Sequence, residues 1–160
     1  MKLTKPALDP MSIPARTSSG YPEPYRSRVL PREKRALGDP LGLTKIGINH
    51  TTLPPGKESS MRHWHTLEDE FIFVLSGEVV VKTDAGEQVL KAGMCAGFPA
   101  SVDGKTGDGH QLINRSSEPA VYLEISNREK GDEAFYPDVD LLFCGAGAAV
   151  MFTRKDGSRF

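Results

Sequence analysis

From Thr44 onward the chain is a series of short apolar or alternating runs, each closed within a few residues by glycine or proline. No stretch keeps an apolar period of 3.6 residues for long, so a helical bundle is excluded and paired strands remain. Residues 45–53 (KIGINHTTL) alternate, with Ile46, Ile48 and His50 on one face, and stop at Pro54-Pro55-Gly56. Residues 60–65, 70–75, 78–83 and 87–91 read as further strands, the last two joined by the turn Asp84-Ala85-Gly86. Residues 94–98 form a short apolar run before Pro99, and 110–114 and 120–126 flank a turn at 116–119. Residues 139–143 and 148–153 read as two last strands around Gly145 and Gly147. The fold class is all-β, with about eight to ten strands closed into a barrel or jelly roll.

The 160 residues suffice for one domain with its own core. Residues 1–43 are set apart as an N-terminal arm, rich in proline and serine at its start, with a helical turn expected at 33–37 before Gly38 and Pro40. Residues 44–127 form the barrel core, and 128–160 a C-terminal extension packing on it, with 127–138 read as polar connection. A net charge of −1 with scattered basic residues gives no footprint for nucleic acid. No apolar run approaches the length of a membrane span, and the first residues lack the apolar core of a secretory signal. Cys95 and Cys144 are too few for a disulfide framework and suit a reducing cytoplasm, with Cys95 expected as a small core residue. The glycosylation-type triplets beginning at Asn49 and Asn114 are then chance matches.

Chemistry concentrates between Gly56 and Gly77 (GKESSMRHWHTLEDEFIFVLSG). Alternation along a strand puts His63 and His65 on one face and Trp64 on the other. Glu70 shares a face with Ile72 and Val74, which places a carboxylate among apolar side chains, where it requires a cation or a proton. His110, on a face with Leu112 and Asn114, supplies a third nitrogen. His63, His65, Glu70 and His110 are thus expected as ligands of one metal ion. The bland alternatives are surface histidines and a solvated turn at Glu68-Asp69-Glu70. Three of four histidines at consistent strand positions weigh against them.

The stretch resembles the first cupin motif, Gly-x5-His-x-His-x3,4-Glu-x6-Gly, carried by Gly56, His63, His65, Glu70 and Gly77. One extra residue lies between Gly56 and His63. Gly93, Pro99, Gly107, His110 and Asn114 resemble the second motif, with seven residues between Pro99 and Gly107 where the family has one. The resemblance covers about residues 44–127. It implies a double-stranded β-helix and carries the same four side chains into the roles of metal ligands. The wording RHWH…EDEF and the tail YPDVDL…FTRKDG resemble small stand-alone bacterial cupins, some of them beside aromatic polyketide pathways or acting as dioxygenases.

Three imidazoles and a carboxylate suit Fe, Mn, Ni, Co, Cu or Zn, and an octahedral ion would keep two positions open. Strand parity lines the pocket with Met61, Ile72, Val74, Leu112 and Asn114, apart from the alternative that Asn114 pairs with backbone at a strand end. Phe71, Phe73 and Trp64 face away, toward sheet packing or a subunit interface. Together with the arm they suggest a homodimer, as cupins commonly form. Glu68 is read as part of a polar turn, with an outer partner role to a ligand histidine as the lesser alternative. Residues 100–109 are read either as a lid over the mouth or as an ordinary loop. Three functions follow: a metal-dependent enzyme on a small molecule, dioxygenase- or isomerase-like; a non-catalytic ligand-binding or sensing barrel; or a barrel with a structural ion. No helix-turn-helix segment accompanies the barrel to make it a regulator.

Overall fold

The computed structural model of the protein describes residues 3–144 and 151–160. Twelve strands run among them: β1 Glu33–Ala36, β2 Ile46–Leu53, β3 Trp64–His65, β4 Glu70–Ser76, β5 Glu78–Thr83, β6 Gly86–Lys91, β7 Cys95–Phe98, β8 Gln111–Ile113, β9 Ala120–Asn127, β10 Glu133–Phe135, β11 Leu142–Cys144 and β12 Met151–Thr153. They pair antiparallel in three sheets, ordered β1-β2-β9-β4-β7, β6-β5-β8 and β12-β11-β10-β3. This is the all-β jelly roll that the strand pattern implies, in the double-stranded β-helix form that the cupin resemblance implies. Two helical turns, α1 Tyr25–Val29 and α2 Gly38–Leu41, are the only α-helix among the described residues, and none is long and apolar enough to cross a membrane.

The inward faces of the five- and three-stranded sheets meet in a core of Leu53, Ile72, Val74, Val79, Val81, Leu112, Ala120 and Tyr122. All but Ala120 remove a large side chain from water, at roughly 1.5–3 kcal/mol per fully buried Val, Leu, Ile or Phe. A second core joins the two ends of the chain: Tyr21 and Val29 pack with Met61, Ala134, Tyr136 and Leu141. The segment read as an arm is thus fastened to its own barrel from Arg16 on, where the backbone bridges to Lys34. Tyr21 is buried there, its ring 4.8 Å from that of Phe152.

Where a helical turn was expected at 33–37, β1 extends the sheet by pairing Glu33 with Thr52 through to Ala36 with Asn49. An exposed edge of β2 offers a row of backbone partners, which a single isolated helical turn cannot match. The helix falls later, at α2, and Gly38 lies against the backbone of Ile46 and Ile48 on β2. The strand β10 lies within residues read as connection. The last two strands are β11 and β12; Gly145, Gly147 and residues 148–150 of the expected strand lie outside the described residues. Cys95 is exposed on edge strand β7 rather than in the core, because Ala96 and Phe98 are the β7 residues that pack inward. Of the aromatics expected to face away from the site, Trp64 stacks on Phe135 at 4.7 Å, whereas Phe71, 39% exposed and next to Glu70, borders the same cavity as Glu70.

Two glycines are required where they stand. Gly77 turns β4 into β5 at φ +71°, and a Cβ there would lie 2.7 Å from the Pro119 carbonyl oxygen. At Gly107 a Cβ would meet the Trp64 indole at 2.7 Å, so the loop leading to His110 lies directly on that ring.

Candidate metal centre

Four elements converge at one mouth of the barrel. Glu70 opens β4, whose partners are β7 and β9, and points inward with Ile72. His65 ends the two-residue β3, paired through Ala134 to β10. His63 and His110 are bridged by their own backbones, His63 N–H donating to the His110 carbonyl at 3.1 Å and His110 N–H to the His63 carbonyl at 2.8 Å. Two histidines far apart in sequence are thus cross-strand neighbours.

All three imidazoles aim Nε2 at one carboxylate oxygen. The distances to Glu70 Oε2 are 2.7 Å from His110 and 3.5 Å from both His63 and His65. The ligand atoms of His63, Glu70 and His110 lie within 4.8 Å of one another. Tautomers follow from the other ring nitrogens. Nδ1 of His63 lies 2.9 Å from the Met61 carbonyl oxygen, and Nδ1 of His65 lies 2.6 Å from Asp132 Oδ2. Both partners only accept, so each Nδ1 carries its proton and each neutral ring turns a bare Nε2 lone pair toward Glu70. Lone pairs converging on a carboxylate repel unless a cation sits among them. This donor set fits a divalent ion, with His63, His65, Glu70 and His110 as the residues that would hold it.

The surroundings fix those rings. His110 is flanked by Phe98, stacked at 3.8 Å, and His63 by Tyr136, stacked at 5.5 Å. Asp132 is 4% exposed; it accepts from His65 through Oδ2 and from the backbone N–H of Leu67 and Glu68 through Oδ1. Such carboxylate–histidine pairs set ring orientation and raise ligand basicity. Burial opposes ionisation of Glu70, yet the hydrogen bond from His110 holds its carboxyl well below the usual range. Burial pushes the His63 imidazole down. Burial also disfavours charge on His65, but the hydrogen bond to Asp132 and the charge of Glu70 leave it raised. Protons compete with a metal for these nitrogens only as the rings become charged, so retention is expected to be full above the histidine range and to fall as the pH drops through it. Metal analysis after dialysis at neutral and mildly acidic pH checks this, and equal content at both would contradict it.

A cavity of about 160 Å³ opens onto the cluster. His63, Glu70 and His110 form part of its wall, with Ile72, Leu112 and Phe98. Of the five residues that parity assigns to the pocket, only Ile72 and Leu112 line it. Met61 belongs to the second core and Val74 to the barrel core. Asn114 is fully buried and its amide donates to the Leu53 and Glu118 carbonyls at 2.8 Å, which ties a strand end. Tyr21, Arg32 and Lys34, which carry no periodic signal, line the cavity from the N-terminal segment, and Glu124 lines it from β9, on the strand face it shares with Ala120 and Tyr122. Asp132 likewise lay in a stretch read as polar connection, where an aspartate looks like a solvated turn. Glu68, whose ligand atom falls within 4.8 Å of those of His65 and Asp132, stands beside that pair. The 100–109 loop is tied down at both ends. Ala100 N–H donates to Asp69 at 2.7 Å, Ser101 N–H to the His65 carbonyl at 2.9 Å, and Gly107 rests on Trp64. Asp103 accepts from Lys105 and Thr106 N–H inside the loop, which lowers its carboxyl to about 2.

Residues 49–126 match a family model described as a cupin domain. A structure described as a sugar phosphate isomerase from a cupin superfamily, from Silicibacter pomeroyi, aligns with 39% identity over 97% of this chain and 96% of its own, at a TM-score of 0.90. A putative sugar phosphate isomerase from Acidithiobacillus ferrooxidans aligns with 28% identity over 81% of this chain and 80% of its own, at a TM-score of 0.70. The tetracenomycin polyketide synthase protein TcmJ of Streptomyces glaucescens is 34% identical over 95 residues, and the match spans 59% of that protein and 58% of this chain.

Proposed function

We propose, from the premise that this chain belongs to the cupin superfamily, that it is a metal-dependent isomerase of a small hydroxy-carbonyl compound. The observation that carries this reading is access: His63, Glu70 and His110 form the wall of the cavity. A structural ion would be closed off from solutes, whereas here a bound molecule reaches the ligand cluster directly. The cavity, about 160 Å³, matches one known to enclose a single six-membered ring. The relative described as a sugar phosphate isomerase, alike over nearly its whole length, supports the isomerase class. The match to the polyketide synthase protein spans less of its partner and weighs less.

When bound, a divalent ion polarises a carbonyl or hydroxyl oxygen as a Lewis acid. The chain's own residues supply the rest. Apolar Ile72, Leu112 and Phe98 exclude water from one side of the cavity. Glu124 and Lys34, 2.6 Å apart, stand in the same cavity as the group able to move a proton. Glu124 would take the proton from the carbon beside the carbonyl and return it to the carbonyl carbon. The proton of the neighbouring hydroxyl passes to the former carbonyl oxygen, so nothing is oxidised or reduced in net.

The test is a panel of aldose and ketose phosphates and their unphosphorylated sugars, incubated with protein reloaded with single metals and followed by NMR. Metal-dependent interconversion of one pair is expected, with Glu124→Gln lowering the rate by about 10²- to 10⁴-fold, the range for a lost general base. Silence with every metal, alongside tight binding of a panel compound, would replace the enzyme by a binding module.

A further inference from the structure

Arg32 precedes β1 and is only 7% exposed. Its Nε is buried without a hydrogen-bond partner, and among the described residues its guanidinium makes no ion pair. It lines the same cavity as His63, Glu70 and His110. The two carboxylates in that cavity are otherwise engaged: Glu124 pairs with Lys34 at 2.6 Å, and Glu70 faces the three histidines. A buried arginine without an acid is costly to the folded state. The cavity's remaining polar lining is hydroxylic, from Tyr21, Ser59 and Ser60. A planar fork of donors facing a cavity, with hydroxyls around it, is the donor set that recognises a phosphate or carboxylate group.

We propose that Arg32 anchors an oxyanion subsite, so that the molecule taken by this cavity carries a phosphate or carboxylate at one end and presents its other end to His63, Glu70 and His110. The subsite rests on reading this cavity as the substrate cavity, but it does not depend on the reaction. Arg32 comes from outside the barrel core, and its neighbour Tyr21 is held by a 3.2 Å contact between the Tyr21 and Tyr136 hydroxyls. The two ends of the chain therefore build the anion end of the cavity, and the barrel builds the metal end.

The experiment is calorimetric titration of the 160-residue chain, as purified with its metal, with inorganic phosphate and separately with acetate. Wild type, Arg32→Gln, Arg32→Lys and Glu70→Gln are compared, with metal content and urea unfolding measured on each. Saturable binding of at least one of the two anions to wild type is expected, and the arm with the higher affinity names the group. Arg32→Gln should weaken that binding at least tenfold with its metal content unchanged, and Arg32→Lys should fall between. Glu70→Gln should keep the anion affinity while losing metal. In anion-free buffer Arg32→Gln should unfold at no lower urea concentration than wild type, which an arginine with a structural role would not allow. Equal anion binding by wild type and Arg32→Gln, or by wild type and Arg32→Lys if the glutamine variant does not fold, would overturn the subsite. So would loss of anion binding in Glu70→Gln alone, since that places the anion on the metal. If the sugar panel is silent while phosphate still depends on Arg32, the isomerase reading fails and the subsite stands.

Discussion

His65→Ala combined with Glu70→Gln is expected to leave the protein without stoichiometric metal. The pair removes one of three imidazole nitrogens and the carboxylate oxygen on which all three converge at 2.7, 3.5 and 3.5 Å. Loss of an outer partner of a ligand alone costs about 10- to 100-fold in metal affinity, so loss of two ligands exceeds that range. The fold itself should persist. The barrel core lies in other residues, and Glu70→Gln removes a buried carboxylate against which two imidazole lone pairs point. Metal content after gel filtration, with circular dichroism to verify the fold, decides the matter. One ion per chain in the folded double variant would show that other side chains hold it.

The second large effect is expected at the Lys34–Glu124 pair. Lys34 on β1 reaches across β2 to Glu124 on β9, over Thr51, which is fully buried. Both side chains are 18% exposed. Burial pushes the lysine down and Glu124 pulls it back up, so the lysine's charge depends on the glutamate. Removing one partner of a buried pair costs about 3–5 kcal/mol, and contact with cavity water trims this, so Glu124→Gln should lower stability by roughly 2–3 kcal/mol. Replacing both, as Lys34→Met with Glu124→Leu, should recover most of the loss, because no charge is left stranded. A double-mutant cycle in urea unfolding measures the coupling. Additive single and double losses would mean that the two charges do not depend on each other. Activity of Glu124→Gln should therefore be read at a temperature where the variant is folded.

Much of the histidine–glutamate cluster is legible in sequence because it obeys strand parity. Glu70 is separated from Glu68 and Asp69 by sharing a face with Ile72 and Val74, and β4 does turn Ile72 and Val74 into the core. His63 and His65 sit one residue apart, and both rings face Glu70. Parity fails for the pocket because it states which face a side chain takes, not how far along the barrel it lies. Val74 faces inward like Ile72 yet belongs to the packed core below the cavity. Asn114 is spent on two carbonyls.

By itself the sequence determined an all-β barrel and the four side chains that face one another at its mouth. Period-two alternation and turn residues act over a few positions, and those four residues carry their information locally. Only the tertiary structure decided what surrounds them. Asp132 orients His65 from β10's approach, Arg32 and Lys34 enter from the segment before and within β1, and Tyr21 joins Tyr136 from opposite ends of the chain. No local period marks these residues. Their roles arise where long-range pairing brings the two ends of the chain over the mouth of the barrel, and where burial makes each unpartnered charge demand a partner.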